Sequence, residues 1–222
     1  VELKHARICH KRDAVHMCEF LSWVDRQSEK EFDEIDAVIE LENIRRKDEN
    51  LKEISFDTIA ASGPNAALPH YRVNYSSNRT IKRGEVLLVD SGGQYLDGTT
   101  DITRTIAIGT QSKEVKDAFT RVLKGLIAIS ELKFPCGTSG RDIDAFARAP
   151  LWQIGQDYAH GTGHGVGHYL SVHEGPQRIS KFSDIEFKKG MIVSNEPGFY
   201  KEGKFGIRIE NLILVKDSEF KN

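Results

Sequence analysis

Two segments of the chain, one in each half, carry a pair of acidic residues on strand-like runs that are otherwise apolar. Asp90 and Asp101 lie in VLLVDSGGQYLDGTTDITRT, and Glu196 and Glu210 lie in MIVSNEPGFYKEGKFGIRIE. A buried carboxylate loses its hydration and needs a counter-charge or hydrogen bonds in return. Four such carboxylates balance the charge of two divalent cations, so the pattern indicates a site for two metal ions.

Each of these acids also has a simpler interpretation. It could lie at a solvent-exposed strand end, or it could form an ion pair with Arg104 or Arg208. For any one acid alone, this interpretation is favoured. The four acids together, in a chain that also has a glycine-flanked histidine segment, favour metal binding instead.

The histidine segment is HGTGHGVGHYLSVHEGP, residues 160–176, which holds His160, His164, His168 and His173. Its alternating glycines remove side chains from one face, so that a metal or substrate can approach the backbone. Imidazole is a common metal ligand and an acid or base near neutral pH. On a strand, His164 and His168 would share one face and His173 would lie on the other, so we do not expect four ligands. We assign no role to His168.

The spacing of the second acidic pair predicts direct contact. If Gly203 is the centre of a hairpin, Glu196 faces Glu210 on the neighbouring strand. Residues that face each other in an antiparallel pair lie about 5 Å apart. The second pair is therefore expected to act as one site.

The first pair gives no such result. Asp90 and Asp101 would face each other only around a turn near residues 95–96, whereas Asp97-Gly98 is the better turn signal. The spacing alone therefore does not predict that these two carboxylates are adjacent.

The elements that must position these side chains occur twice in the order helix, helix, strands. This repetition predicts one catalytic domain over residues 1–222, with halves at about 1–109 and 110–216 and a site at a pseudo-twofold axis. The predicted helices are 1–27, a second helix that a Ser28–Glu31 capping box would open and that runs through Ile44, 113–134 and 141–153. The predicted strands are 54–61, 85–89, 101–108, 166–172, 191–194 and 206–215.

Composition narrows the functional class. The 222 residues are 39% hydrophobic and 29% charged, which is an ordinary globular balance, and the net charge is −2. Lys and Arg are spread along the chain, so we expect no nucleic-acid partner, and no apolar run approaches the ~20 residues that span a bilayer, so we expect no membrane. Cys9, Cys18 and Cys136 form no CxxC pair, which predicts a reducing, cytoplasmic compartment. Since Val1 already lies in a helical pattern, we expect a piece of a longer protein.

Five motifs together resemble the catalytic domain of the Xaa-Pro aminopeptidases (aminopeptidase P), which are pita-bread metallopeptidases. The motifs VDSGGQYLDGTTDITRT, HGTGHGVG, VHEGP, SNEPGFY and GIRIEN occur in the family's order and the resemblance covers nearly the whole chain. It implies an α+β pita-bread fold, with two pseudo-symmetric αβ halves and a curved antiparallel sheet covered by helices. The chain is most similar to the three-domain cytosolic form, whose N-terminal domains would be absent here.

The resemblance also implies the metal ligands, which are Asp90, Asp101, His164, Glu196 and Glu210. Asp101 and Glu210 would bridge both ions, Asp90 would bind one, and His164 and Glu196 would bind the other. Glu196 would also act in catalysis as a proton shuttle. Carboxylate and imidazole donors without thiolate suit a hard ion, so two Mn²⁺ ions are expected, with Co²⁺ or Zn²⁺ as alternatives.

Three further histidines match positions that line the family's substrate site: His70 in LPHY, His160 and His173. His70 and His173 would hydrogen-bond the scissile carbonyl or the tetrahedral intermediate as catalytic groups. Without the resemblance, His70 would be interpreted as an exposed loop residue. Arg208 lies two residues before Glu210 on the same strand face and is expected to hold a ligand carboxylate in place.

The function that the resemblance implies is removal of the first residue from peptides with proline in the second position, by an enzyme that forms a homodimer. A prolidase, which cleaves only Xaa-Pro dipeptides with the same five ligands, is the main alternative. Methionine aminopeptidase is a weaker one. A third alternative is a relative that has lost its metals and merely binds a partner protein. Such relatives typically lack one or more ligands, whereas all five positions here carry metal-binding side chains.

Overall fold

The computed structural model describes residues 1–27 and 31–218. The helices are α1 (Glu2–Gln27), α2 (Glu34–Arg46), α3 (Lys113–Ser130) and α4 (Gly140–Trp152), and a 3₁₀ turn spans Gly63–Ala67. The strands of the first half are β1 (Leu51–Ile54), β2 (Ile59–Ser62), β3 (Val86–Ser91), β4 (Gly93–Tyr95), β5 (Gly98–Thr99) and β6 (Ile102–Ala107). Those of the second half are β7 (Gly163–His164), β8 (Arg178–Ile179), β9 (Ile192–Asn195), β10 (Gly198–Lys201), β11 (Phe205–Arg208) and β12 (Asn211–Leu214).

Antiparallel pairing joins the strands within each half. In the first half, β3 lies between β2 and β6, and β4 lies between β1 and β5. In the second half, β9 pairs with β12, β10 with β11 and β7 with β8. The mixture of helices with antiparallel sheets confirms the α+β class.

Apolar faces of the helices cover the strands of the same half. Met17 and Phe20 of α1 and Leu41 of α2 belong to one buried cluster with Leu87 and Val89 of β3. In the second half, helix α3 packs against β10 and β11 through a cluster that includes Val122, Phe199 and Ile207. The division of the chain near residue 109 stays a prediction.

The two halves meet along β6. Thr105 Oγ1 donates to the carbonyl oxygen of Arg208 at 2.8 Å and accepts from the Arg208 amide at 3.1 Å. The amide of Glu210 donates to the carbonyl oxygen of Thr103 at 3.2 Å. A strand of the first half therefore lies directly beside the segment of the second half that carries an acidic residue.

The second hairpin has the predicted register. Gly198 faces Arg208 across β10 and β11, and Asn195 faces Asn211 across β9 and β12, so one register continues on both sides of residues 196 and 210. Gly203 lies at the turn with a φ of +68°, in the left-handed region that glycine occupies without strain.

The turn of the first hairpin lies between the two turn positions that the sequence suggested, residues 95–96 and Asp97-Gly98. Tyr95 pairs with Gly98, so Leu96 and Asp97 form the loop. In this register Asp90 faces Thr103 and not Asp101. Asp97 is a turn residue, as its position before a glycine suggested.

Three predicted strands are wrong in extent or in kind. The run 54–61 divides because β1 pairs with β4 whereas β2 pairs with β3, so the chain passes from one sheet to another. The run 206–215 divides at residue 210, whose amide bonds to β6. Residues 166–172 form a loop, within which Gly167 N donates to Ser171 O at 3.0 Å.

Helix α2 begins later than the Ser28–Glu31 capping box predicted. Asp33 is the N-cap residue: its Oδ1 accepts from the amide of Asp36 at 2.8 Å, and Asp36 Oδ2 accepts from the amide of Asp33 at 3.0 Å. This reciprocal pair satisfies two amides that have no partner within the helix. Ser28 lies outside the described residues.

The state of the cysteines and the composition of the helices relate to two expectations from composition, a reducing compartment and the absence of a membrane span. Cys9 is buried, Cys18 and Cys136 are exposed, and all three are free thiols. Within residues 1–27 and 31–218, no helix has both the length and the apolar composition needed to cross a bilayer.

A buried ion pair fastens helix α1 to the first half. Arg45 of α2 donates to both oxygens of Asp13, at 2.9 Å from Nε and 3.0 Å from a terminal nitrogen. Tyr95 and Thr100 donate their hydroxyls to the same carboxylate at 2.7 and 3.0 Å. Thr100 immediately precedes Asp101, so the pair of Asp13 and Arg45 helps to fix the backbone next to this predicted ligand.

We expect Arg45→Met to lower the free energy of unfolding by about 3–5 kcal/mol, because it leaves the Asp13 carboxylate buried without its counter-charge. The matched control is Arg46→Met. The Arg46 side chain is 56% exposed and pairs with Glu42, so the change should cost less than about 1 kcal/mol. Urea unfolding of both variants checks this, and equal losses would contradict the assigned role of the buried pair.

Candidate metal centre

The five predicted ligands lie in one cleft at the junction of the halves. They come from five places in the fold: the end of β3 (Asp90), the residue before β6 (Asp101), the end of β7 (His164), the residue after β9 (Glu196) and the link between β11 and β12 (Glu210). All five line a cleft of about 280 Å³. Tertiary structure therefore brings together donors that are up to 120 positions apart in the sequence.

Four of the donors converge closely. His164 Nε2 lies 3.4 Å from Asp101 Oδ2 and 3.2 Å from Glu196 Oε1. One ligand atom each from Asp101, His164 and Glu210 lies within 4.8 Å of the other two. This spacing suits a shared cation.

Hydrogen bonds orient the donors of the second half. His164 Nδ1 lies 2.9 Å from the carbonyl oxygen of Gly165, which can only accept, so Nδ1 carries the proton and Nε2 faces the carboxylates. Ser194 Oγ accepts from the amide of His164 and donates to Glu196 Oε1, both at 2.9 Å. The backbone of β7 and β9 thus sets the direction of both side chains.

The remaining carboxylates are also held from behind. Thr103 Oγ1 donates to Glu210 Oε2 at 2.6 Å. Arg208, which is 2% exposed, donates to Asp90 Oδ2 at 2.7 Å. Arg208 therefore contacts one of the predicted ligand carboxylates. Arg104 instead donates to the carbonyl oxygen of Glu210 at 2.7 Å, so it pairs with the backbone.

One buried oxygen shows that the site suits a cation. Asp90 Oδ1 has no hydrogen-bond partner in the part of the chain that the structure describes. A buried carboxylate oxygen without a partner is unfavourable, and a divalent ion would satisfy it. The donor set contains carboxylates and imidazole but no thiolate, which suits hard or borderline ions.

Burial and proximity change the acidities of the cluster. Burial raises the pKa of Asp101 to about 7, although the hydrogen bond with His164 opposes this shift. Burial and the charges of Asp101 and Glu196 raise the pKa of Glu210 well above its usual value. Burial alone would lower the pKa of His164, but its contacts with the two carboxylates raise it to about 10. Burial would raise the pKa of Glu196, but His164 holds it at about 2.

The three predicted substrate histidines line the same cleft. His70 and His173 are exposed, and the ring of His173 meets the ring of His164 edge-on with centroids 4.1 Å apart. Burial lowers the pKa of His160. The ring of His173 is only partly desolvated where it meets His164, and this desolvation together with the charge of His164 lowers its pKa. A neutral imidazole at His173 can donate a hydrogen bond to a bound carbonyl oxygen.

Sequence reasoning missed Tyr200, which connects two of the predicted residues. Its hydroxyl accepts from Arg208 at 2.8 Å and lies 2.8 Å from His160 Nε2. Burial raises the pKa of this phenol to about 12, so it stays protonated. Tyr200 ends the SNEPGFY motif, but only the pairing of β10 with β11 shows that it contacts Arg208.

Comparison of the chain with known proteins finds one matching family. The profile of Metallopeptidase family M24 matches residues 4–217. A probable Xaa-Pro aminopeptidase P from Talaromyces marneffei is 48% identical over 225 residues, which cover 99% of this chain and 34% of that protein. The chain thus spans about a third of the length of this relative.

Solved structures agree with the fold. An X-prolyl aminopeptidase from Caenorhabditis elegans, described as a cytosolic enzyme with a di-nuclear active site, superposes with a TM-score of 0.91 at 43% identity, covering 95% of this chain and 35% of that one. An Xaa-Pro dipeptidase from Bacillus anthracis superposes with a TM-score of 0.86 at 33% identity, covering 97% and 58%. The predicted pita-bread fold and the family resemblance are confirmed.

We expect metal removal to destabilise the chain, and more so at higher pH. In the metal-free state Asp101 gains protons on folding between its usual pKa of 3.8 and about 7, so the free energy of unfolding falls as the pH rises through this window. The raised pKa values of Glu210 and His164 act in the same direction. Bound cations replace these protons and remove the penalty.

Thermal melting with and without a chelator, at about pH 5.5 and about pH 8, measures both effects. The chelator should lower the midpoint at the higher pH and have a smaller effect at the lower one. Asp101→Asn should reduce the pH dependence of the chelated protein. An unchanged midpoint, in protein first shown to contain metal, would count against the proposed cluster.

Proposed function

The chain belongs to metallopeptidase family M24, and we propose that it is the catalytic domain of a two-metal aminopeptidase that removes the first residue from peptides with proline second. The observation that carries this proposal is the convergence of four carboxylates and His164 in a cleft that His70 and His173 also line. A reducing, cytoplasmic location fits the free thiols, and the C. elegans enzyme is described as cytosolic.

In this proposal Asp101 and Glu210 would hold both ions, Asp90 would hold one of them, and His164 and Glu196 would hold the other. Mn²⁺ is the ion that the donor set favours, with Co²⁺ or Zn²⁺ as alternatives. When bound, such ions supply Lewis acidity that lowers the pKa of water and polarises a carbonyl. Arg208, Thr103 and Ser194 keep the carboxylates oriented through the hydrogen bonds described above.

Glu196 is suited to move the proton. It is a carboxylate in the lining of the cleft, so it can accept a proton from the attacking water. The nitrogen of an Xaa-Pro bond must gain a proton before proline leaves as an amine, and Glu196 can return it there. Its position in the lining of the cleft, 3.2 Å from His164, supports this role.

His70 and His173 are suited to bind the scissile carbonyl. A bond that precedes proline has no N–H, and the ring restricts φ to roughly −65°, so recognition through a donated amide hydrogen bond is excluded. An imidazole N–H can instead donate to the carbonyl oxygen, whose negative charge grows in the transition state. Phe56, Ile59 and Val172 add apolar surface to the same cleft.

The second candidate is a prolidase, because an Xaa-Pro dipeptidase shares the fold over 97% of the chain. The two activities differ in whether the site accepts residues beyond the proline.

We expect the enzyme to cleave Arg-Pro-Pro and longer Xaa-Pro peptides, to leave Xaa-Ala analogues nearly untouched, and to require a free amino terminus. Rates are compared for Xaa-Pro dipeptide and Xaa-Pro-Xaa tripeptide at matched metal occupancy. The assay uses this chain and any longer natural form of the protein that contains it. Strong preference for the dipeptide would replace the proposal with prolidase, and activity on neither would revive the partner-binding alternative.

We expect Asp101→Asn and Glu210→Gln each to reduce kcat/KM by orders of magnitude, because a bridging ligand holds both ions. Asp97→Asn is the matched control. It changes an acid of the same segment that lies in the turn and contacts Arg12 at 2.5 Å. Metal content, measured beside the rates, should fall only in the first two variants. Equal damage from all three changes would show that the division of this acidic segment is wrong.

A further inference from the structure

The loop that replaces the predicted strand 166–172 has a defined shape. We call residues 165–174 the histidine loop. At its base, the amide of Glu174 donates to the carbonyl oxygen of Gly165 at 2.9 Å, and nearer the tip Gly167 N donates to Ser171 O at 3.0 Å. A side chain at residue 165 would place its Cβ 2.1 Å from the carbonyl oxygen of Glu174, so this close approach requires glycine. The loop is therefore closed at its base by its own backbone.

The tip of the histidine loop has little internal support. Tyr169 has a φ of +54°, a left-handed conformation that is unfavourable for a residue with a Cβ. Its side chain is 42% exposed, and that of Leu170 is 60% exposed, so burial at the tip offsets little of this cost. A tip of this shape needs contacts from outside the loop.

Gln94 of β4 supplies such a contact from the other half of the chain. Its Nε2 donates to the carbonyl oxygen of Leu170 at 2.6 Å. Thr99 of β5 donates its hydroxyl to Gln94 Oε1 at 2.6 Å. Gln94 is 9% exposed and Thr99 is 2% exposed, so solvent competes little for either bond.

The neighbours of Gln94 determine which way its amide points. The carbonyl oxygen of Leu170 can only accept a hydrogen bond, so an amide oxygen turned towards it would meet a second acceptor. The Thr99 hydroxyl can donate to the amide oxygen on the other side. One orientation of the amide therefore satisfies both partners.

The tip of the histidine loop, which Gln94 contacts, is close in sequence to two residues that line the substrate cleft. Val172 and His173 follow Leu170 by two and three positions, and both line the cleft. The ring of His173 lies edge-on to His164, with centroids 4.1 Å apart. The side chain of His173 is exposed, so few packing contacts fix it. The position of its imidazole therefore depends mainly on the course of the backbone.

We propose that Gln94 is a positioning residue for His173: by holding the tip of the histidine loop, it places that imidazole in the cleft. The proposal rests on the proposed function, in which His173 donates to the scissile carbonyl. It also couples the halves, since Gln94 lies in the same hairpin as Asp90 and Asp101. Gln94 acts through the loop and does not itself need to touch a substrate.

The first test needs no substrate. Hydrogen exchange of the histidine loop is compared in the wild type, Gln94→Leu, Gln94→Met and the control Gln111→Leu. Gln111 also donates its side-chain amide to a backbone carbonyl, that of Glu85, at 2.9 Å, but it does not line the cleft. We expect faster exchange in the loop for both Gln94 variants and unchanged exchange there for the control. Unchanged exchange in both Gln94 variants would overturn the proposal, whatever the activity of the chain.

The second test is a double-mutant cycle with His173→Ala, in metal-loaded enzyme acting on an Xaa-Pro tripeptide. We expect Gln94→Leu to lower kcat roughly tenfold with little change in KM, as supporting residues of active sites commonly do. In the His173→Ala background the same change should lower kcat less than about twofold, since the residue through which it acts is gone.

Three outcomes would overturn the proposal: equal losses in both backgrounds, a similar loss of kcat from Gln111→Leu, or an unchanged kcat in His173→Ala. Failure of the proposed function is distinguishable from these. A wild type that cleaves no Xaa-Pro peptide removes the activity itself, while the exchange comparison still decides whether Gln94 holds the loop.

Discussion

The accumulation of negative charge in one buried cleft is the constraint on which the rest of the structure depends. Four carboxylates meet at the junction of the two halves, where little water can solvate them. The protein compensates part of this charge itself. Arg208 binds Asp90, and His164 lies between Asp101 and Glu196. The remainder requires cations or protons, which is why two of the carboxyls have raised pKa values when only protein groups surround them.

The fold provides a rigid frame for this unfavourable cluster. Each half contributes a hairpin that carries two of the acids. The hairpins are joined by a backbone hydrogen bond from Glu210 to Thr103 and by the bonds of the Thr105 hydroxyl to the backbone of Arg208. The buried pair of Asp13 and Arg45 anchors the first hairpin to the outer helices through Thr100. Such a frame prevents the carboxylates from moving apart, as their repulsion would otherwise favour.

Sequence patterns predicted the elements better than their pairing. Helices α1, α3 and α4 lie close to their predicted bounds, because the apolar residues of each helix repeat with the helical period and face one core. The second hairpin was predictable because Gly203 is a clear turn signal at its centre. The first hairpin was not, because its turn at residues 96–97 precedes the stronger Asp97-Gly98 signal. The alternating glycines of residues 161–167 resemble a long strand pattern, but they permit close backbone approaches in the short strand β7 and in the loop that follows it.

The sequence by itself determined the kind of site: which donor side chains are present, that they sit on apolar segments, and which family their motifs resemble. These are properties of residue type and local order, which do not depend on how distant segments meet. Only the tertiary structure decided the contacts: that Asp90 faces Thr103, that Tyr200 joins Arg208 to His160, and that Gln94 reaches the histidine loop. Each of these contacts joins elements through strand register or loop shape. Register and loop shape depend on which backbone groups pair, and distant parts of the chain offer alternative partners for each group. A shift of one residue in register would turn each side chain of a strand to the opposite face.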